Sequence, residues 1–467
     1  MFWRSFARQA VHAWIALVVL AADIHADEFA TKATRTPADV RKFAGRMMGL
    51  APNIRRTWII PGLASSYVPQ GIAVKGSVAV LSYYSKARGK PDASALVLVD
   101  LESGCVRTWA RLRDANNKPV HDHVGGVAVI GDHLYTGARG RVRRFSLEAL
   151  SETRRGRTLT ELGHFEVDSR MSNISSEGDR LWIGEYRNTG YPTAGHHRNG
   201  SLRAWIAAYD VDRKSGDPIQ KRTYRAEGRE VLRPAVVLFA PNRIQGVAKH
   251  GDIFVLSISS GNTGTLRFFR SPLDGAPLRF DGPDRTPLRA YSLSKPYLTL
   301  AIPAGTEDLA LAGESIYLTF ESACRSYRHW RERGAVMEDR FYELAIPRPV
   351  EETHAPLLAR TKFRIHSKKT RTLRFPFTVP GGDGAHAILK VGIADAEDNS
   401  GDRGLHMELV DNKGKAVHRT FVRGKELVWS DHDVTGGAWE LRLIDRDTEF
   451  DSELPGNAGT VEIWIRK

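Results

Sequence analysis

Short apolar runs, many alternating with polar positions and divided by Gly, Asn and Asp, follow one another from about residue 57 almost to the C-terminus. Alternation with a period of two predicts half-buried β-strands rather than helices. The runs also repeat. A turn glycine is followed six residues later by a small residue inside an apolar strand at Gly76 and Ser82, Gly131 and Gly137, Gly178 and Gly184, Gly251 and Ser257, and Gly313 and Thr319. A matching segment precedes each glycine: Gly71-Ile72-Ala73, Gly126-Val127-Ala128, Asn173-Ile174-Ser175, Gly246-Val247-Ala248 and Asp308-Leu309-Ala310. Copies of one hairpin spaced 47 to 73 residues apart predict a radial array of sheets, a β-propeller.

Each repeat should supply four strands. The first reads as Gly71 to Val74, Val78 to Ser82, Ala95 to Leu101 and Val106 to Leu112; the second as Val127 to Ile130, Leu134 to Thr136, Val142 to Leu147 and Leu159 to Val167. Small residues belong on the innermost strands, which crowd together around the central channel. The fifth repeat offers only three strands. The expectation is that Thr57 to Pro61, ahead of the first repeat, supplies its outer strand and closes the ring without an open edge. Five blades is therefore the expected count. A six-bladed ring is the alternative, because Asp212 to Pro241 and Ser271 to Tyr297 are long enough to hide further strands.

After Pro347 the alternation persists without the repeat, in Leu373 to Val379, Ala387 to Ile393, Leu405 to Leu409, Ala438 to Ile444 and Thr460 to Ile465. Short strands between Gly and Asp turns predict a compact β-sandwich. The expected organisation of this all-β chain is a signal peptide over 1–26, an N-terminal extension with a short helix over 27–56, the propeller over 57–347, a linker over 348–361 and the sandwich over 362–467.

The N-terminus reads as an address. Arg4 and Arg8 precede an apolar run from Ala10 to Ala22, with small residues up to Ala26, the layout of a cleavable secretory signal. The run is shorter than the roughly 20 residues a membrane span needs, and no other stretch qualifies, so a periplasmic or extracellular protein without a transmembrane span in its mature form is expected. In the extension, Thr36 as N-cap, Pro37, and Val40, Phe43, Met47 and Leu50 at helical spacing mark the short helix. The formal charge is +14, yet basic and acidic side chains from Arg360 to Lys467 number 18 and 17, so the excess lies before the sandwich. Outside the cytoplasm such a surface suits anionic envelope polymers, lipid head groups or acidic small ligands better than nucleic acid. Only Cys105 and Cys324 are present. Their expected positions, on opposite faces of the ring, argue against a disulfide between them.

The segment from Thr57 to Pro347, with Val68-Pro69-Gln70-Gly71, His123-Val124-Gly125-Gly126 and Phe320-Glu321-Ser322, resembles secreted bacterial propeller proteins of the broad YncE-like and quinoprotein-like group. Quinoprotein dehydrogenases of that wider group use an aspartate, a calcium ion and tryptophan-docking repeats, a constellation missing from this sequence. The run Gly436-Gly437-Ala438-Trp439-Glu440-Leu441-Arg442-Leu443 followed by Gly459-Thr460-Val461-Glu462-Ile463-Trp464 resembles the closing strands of P-domain or pre-peptidase C-terminal sandwiches. That resemblance implies an accessory module for folding or attachment.

In a propeller, residues just before the inner strands and just after the second strands converge on one mouth of the channel. The first set comprises Gln70, His123, Arg170, Ser172, Arg243, Gln245 and Glu307; the second comprises Tyr84, Arg139, Glu185, Tyr186, Ser259 and Glu321. Arg139, Arg170 and Arg243 offer forked donors for a carboxylate, sulfate or phosphate, Gln70 and Gln245 fix orientation, and Tyr84 and Tyr186 supply flat surface for sugar rings. The leading expectation is an exported protein that binds an anionic or carbohydrate ligand, or a cell-envelope component, at this mouth. The alternatives are a hydrolase or lyase acting on a polysaccharide or small ester, with Glu185, Glu307, Glu321 or His123 in acid–base roles, and a structural envelope protein. No nucleophilic serine elbow, phosphate loop or zinc-helix signature occurs. His121-Asp122-His123 has the spacing that puts two imidazoles on one side of a strand, the start of a metal site without a third ligand, and His196-His197 lies in a Gly-rich loop; the leading expectation for both is a surface turn. In the sandwich, the acidic turns carrying Asp395, Glu397 and Asp398, and Asp445, Asp447 and Asp451, have the composition of a calcium loop, without EF-hand spacing.

Overall fold

A strand from the start of the chain is built into the last sheet of the repeat region. In the computed structural model, which describes residue 29 and residues 53–466 apart from 88–90, 189, 261–262, 304, 328–337, 347–356, 365–371, 380–384, 394–403, 412, 424–426, 435–436 and 445–457, this is β1 (Ile54–Ile59). The expected signal peptide, the expected N-terminal helix and both acidic turns of the C-terminal region lie outside the described residues. Among the described residues no helix is long and apolar enough to cross a membrane.

The first sheet runs β2 (Tyr67–Lys75), β3 (Val78–Ser85), β4 (Ala95–Asp100) and β5 (Val106–Arg113). The second begins with β6 (Val127–Ile130), β7 (His133–Ala138) and β8 (Arg141–Ser146). A short helix that the alternation did not announce follows, α1 (Leu147–Glu152), where the Ser146 side chain caps the Ala149 amide at 3.0 Å. The run expected as one outer strand is two. β9 (Arg157–Thr160) joins the first sheet, parallel to β5, and β10 (Gly163–Glu166) joins β8. The split is visible in the hydrogen bonds. The Glu161 amide donates to Arg113 of the first sheet, and the next amide, that of Leu162, donates to Arg144 of the second.

The third sheet takes β11 (Asn173–Glu177), β12 (Arg180–Gly184) and β13 (Ala204–Asp210); the hairpin β14 (Thr223–Ala226) and β15 (Arg229–Leu232) stands apart, and β16 (Val236–Ala240) continues the sheet. The fourth has β17 (Ile244–His250), β18 (Ile253–Ser260) and β19 (Thr263–Arg270). The strands of the next long segment, β20 (Leu278–Asp281) and β21 (Pro287–Ser292), extend the third sheet beyond β16, and β22 (Leu298–Ile302) completes the fourth. The last sheet is β23 (Thr306–Ala312), β24 (Ser315–Phe320) and β25 (Arg340–Ala345), with β1 antiparallel to β25. Trp58 on β1 stacks on Phe341 with ring centroids 4.9 Å apart and donates its Nε1–H to the Leu101 carbonyl of the first sheet at 3.0 Å. One residue thus ties the closing strand to both of its neighbours.

The innermost strands adjoin in a circuit: β2 meets β6, β6 meets β11, β11 meets β17, β17 meets β23, and β23 returns to β2. The repeated six-residue interval has its cause here. Registers pair Gly71 with Ser82, Asn173 with Gly184 and Gly246 with Ser257, so each small residue of a second strand backs the innermost residue of the first. A Cβ at Gly71 would lie 2.5 Å from the backbone of Gly126, and one at Gly126 would lie 2.6 Å from the Ile174 amide nitrogen. In the fifth copy the equivalent residue is Asp308. Its fully buried carboxyl reaches into the space the glycines leave, where Oδ2 accepts from the amides of Ile72 and Val127, each at 3.4 Å.

The C-terminal region forms β26 (Leu357–Arg364), β27 (Thr372–Val379), β28 (Ala385–Ile393), β29 (Gly404–Val410), β30 (Ala416–Arg423), β31 (Leu427–Val434), β32 (Gly437–Ile444) and β33 (Ala458–Arg466). One group has the order β27-β32-β29-β30 and the other β31-β28-β33-β26, joined to β22 by the single parallel pair Leu300 with Trp429. Alternation places Trp439, Leu441 and Leu443 of β32 and Met407 and Leu409 of β29 in the interior.

Candidate functional site

Three equivalent positions on the inner strands depart from regular pairing. The register slips between Pro69 and Gly71, between Ile244 and Gly246, and between Thr306 and Leu309, leaving Gln70, Gln245 and Glu307 in the slips. An unpaired residue of this kind bends the strand and re-aims its side chain. Here the three side chains build one network. The Gln245 amide donates to Glu307 Oε1 at 2.9 Å, and the Gln70 amide donates to Glu321 Oε2 at 3.2 Å. Glu307 and Glu321 hydrogen-bond to each other. Both are buried, and burial is the main cause that pushes both carboxyls up, Glu321 to about 7 and Glu307 well above the carboxylate range; the charge of Glu321 adds to the shift at Glu307. Glu307 keeps its proton and shares it with Glu321.

Gln70 passes this order on to His123. Its Nε2 donates to the Pro69 carbonyl at 2.8 Å and to Glu321, so its Oε1 faces His123 Nε2 at 2.5 Å. Nε2 is then the protonated ring nitrogen, and Nδ1 carries the lone pair. His123 keeps an exposed flank, yet desolvation where the ring packs, with the charges of Lys86 and Arg139, lowers the imidazole to about 4. The ring packs on Tyr84 with centroids 3.9 Å apart. Tyr84 and Tyr327 share a hydroxyl contact of 3.1 Å, and Lys86 donates to the Tyr327 hydroxyl at 2.9 Å. Burial raises both phenols far above their ordinary range, which leaves them as donors. The thiol of Cys324, buried beside Glu321, is pushed up to about 12 and is no nucleophile at neutral pH.

Glu185 belongs to a second cluster, at the end of β12. It is fully buried, and its Oε1 accepts from His197 Nδ1 at 2.9 Å and from the Trp205 amide at 3.2 Å. His197 Nε2 lies 3.2 Å from Asp168 Oδ1, and His196 Nε2 lies 2.7 Å from Asp168 Oδ2, which also accepts from the Tyr224 hydroxyl at 2.6 Å. The His197 ring stacks on Trp205 with centroids 3.6 Å apart. The two neighbouring carboxylates outweigh burial and raise His197 to about 9, while its histidine and tyrosine partners outweigh burial at Asp168 and hold that carboxyl far below the usual range.

The structure therefore brings Gln70, Tyr84, His123, Gln245, Glu307 and Glu321 into one network and puts Glu185 in another. Arg139 and Arg170 are exposed and touch through their backbones, the Arg139 amide donating to the Arg170 carbonyl at 3.1 Å. Arg243 is half-buried with φ of 66°, and its amide donates to the Arg187 carbonyl at 3.1 Å. Tyr186 accepts from Asn188 at 3.1 Å. His121 turns to the Asp92 carbonyl and Asp122 pairs with Arg143, so the His121-Asp122-His123 run does not gather round one point. The calcium candidates Asp395, Glu397, Asp398, Asp445, Asp447 and Asp451 lie outside the described residues. Both cysteines are free thiols, Cys105 exposed and Cys324 buried. Sequence reasoning missed Lys86, Asp168, Trp205, Tyr224, Asp308 and Tyr327. Asp168 had a faint signal, since it lies just ahead of an inner strand, two residues before Arg170 in the expected set.

No protein-family model and no curated protein matches the chain. Among solved structures, an exo-β-1,3-galactanase variant from Phanerochaete chrysosporium with β-1,3-galactotriose aligns over 88% of this chain and 99% of its own at 11% identity and a TM-score of 0.36. A GH32 β-fructofuranosidase from Bombyx mori aligns over 92% and 96% at 10% identity and a TM-score of 0.32. A GH43_1 enzyme from Xanthomonas citri complexed with xylose aligns over 65% and 97% at 12% identity and a TM-score of 0.32.

Proposed function

We propose that the chain is an exported five-bladed β-propeller with a C-terminal β-sandwich, and that it hydrolyses a sugar-like substrate at the mouth of the propeller. The circuit of inner strands and the closure of β25 by β1 support the architecture. The Glu307–Glu321 pair carries the functional reading. A carboxyl that keeps its proton near neutrality is suited to protonating a leaving oxygen, and Glu321, raised to about 7, returns that proton at little cost. The base is His123, whose Nδ1 carries the lone pair that takes a proton from water.

The two carboxyls act as one acid. Hydrogen-bonded carboxyls lie closer than the ~5 Å of a retaining glycosidase pair or the ~6.5–9.5 Å of an inverting one, so the second role passes to His123. The internal partners of the pair also favour a second reading. Gln70 and Gln245 already satisfy the pair, as expected of a mouth that binds a ligand without chemistry.

Mixed-glycan and small-ester hydrolysis by the purified chain, compared with Glu307→Gln, separates the two. Turnover by the parent that the variant loses supports the hydrolase. A parent that is protected against heat by a glycan yet cleaves none supports binding alone.

A further inference from the structure

We infer that Asp168, His196 and His197 form a binding site for one divalent first-row transition metal ion, with zinc the fitting probe. One ligand atom from each of the three lies within 4.8 Å of the others. Two imidazole nitrogens and one carboxylate oxygen are a donor set for zinc or its neighbours, and three protein ligands leave a position for water or a ligand oxygen.

The surroundings are those of a built site. Glu185 accepts from His197 Nδ1 at 2.9 Å, which orients the ring so that a metal ion takes the place of the proton on Nε2; a carboxylate behind a metal-binding histidine is the usual orienting arrangement. Trp205 holds the His197 ring from one face, at 3.6 Å between centroids, and donates Nε1–H to the Asp168 carbonyl at 2.9 Å. Tyr224 holds Asp168 Oδ2 at 2.6 Å. Two buried carboxylates, Asp168 and Glu185, balance the charge of a divalent ion. The other oxygen of Glu185, Oε2, is buried without a hydrogen-bond partner among the described residues, an acceptor suited to a metal-bound water. The ligands come from the segment ahead of β11 and from the loop between β12 and β13, so the ion would pin that loop to the sheets beneath it.

Zinc titration by calorimetry, on the untagged full chain stripped with a chelator, tests the site. One zinc per chain is expected. His196→Ala, which removes a half-exposed side chain and is checked for folding by its melting curve, should weaken binding at least roughly 10-fold, and Glu185→Gln should weaken it by roughly 10- to 100-fold. His121→Ala should bind as the parent does. A parent that takes up no stoichiometric zinc overturns the inference, as does His196→Ala with parental affinity or loss of binding in His121→Ala.

Discussion

Glu307 and Asp168 are both buried carboxyl groups, each near a second buried carboxyl, yet one is neutral and the other ionised. At Glu307 the neighbours are another carboxyl and the neutral amide of Gln245, so nothing offsets the loss of water and the proton stays. At Asp168 two imidazoles and a phenol donate to the oxygens, and the carboxylate stays ionised. Burial alone does not decide the charge of a carboxyl; the count and sign of its donors does. One arrangement is suited to moving a proton and the other to holding a cation.

The largest expected effect is on turnover. Glu307→Gln replaces a neutral acid by a neutral amide of the same shape, so hydrolysis should fall by about 10²- to 10⁴-fold with no loss in melting temperature at pH 8. A matching fall in stability would show that the pair is structural.

Asp168→Ala should do the reverse. It leaves His197 buried with one carboxylate fewer, and removing one partner of a buried charged pair costs about 3–5 kcal/mol, read by denaturant unfolding of chelated protein. A cost below about 1 kcal/mol would put this cluster in the class of surface pairs and erase the contrast.

Acidity sharpens the comparison. Glu321 titrates at about 7 in the folded chain against 4.5 for an ordinary glutamate, so the folded state binds more protons and its stability falls as pH rises across that window. Replacing both members, Glu307→Gln with Glu321→Gln, should therefore stabilise the protein increasingly from pH 4.5 to 7, by about 3 kcal/mol for Glu321 alone. A gain independent of pH would refute the shared proton. Hydrolysis by the parent should lie between a lower limb near 4, set by His123, and an upper limb near 7, set by the pair. The smallest effect is expected from the scaffold that both clusters share: Gly126→Ala should cost about 1–3 kcal/mol through overpacking, measured by thermal unfolding, without changing either pH limb.

Much of the scaffold was legible because it follows from local rules. The interval from Gly76 to Ser82 and its four copies marks strand pairs in register, and Thr57 to Pro61 could be placed on the last sheet because that repeat lacked a strand. The split of Leu159 to Val167 between two sheets was not legible, since alternation is the same whichever sheet accepts the amides. The site was legible as a set of positions and illegible as a network. Gln70, Gln245 and Glu307 stood out by their place ahead of the inner strands, whereas the slips in register that turn them together depend on crowding between strands far apart in sequence. Asp168, Glu185, His197 and Tyr224 carry no common motif.

The amino-acid sequence by itself determined the inner and second strands of each repeat and the crowded centre, because period-two burial and the size limit at Gly71, Gly126 and Gly246 act on each residue locally. Only the tertiary structure decided which carboxyls are charged. That depends on which donors arrive from other strands once water has been excluded, and neighbours along the chain do not specify it.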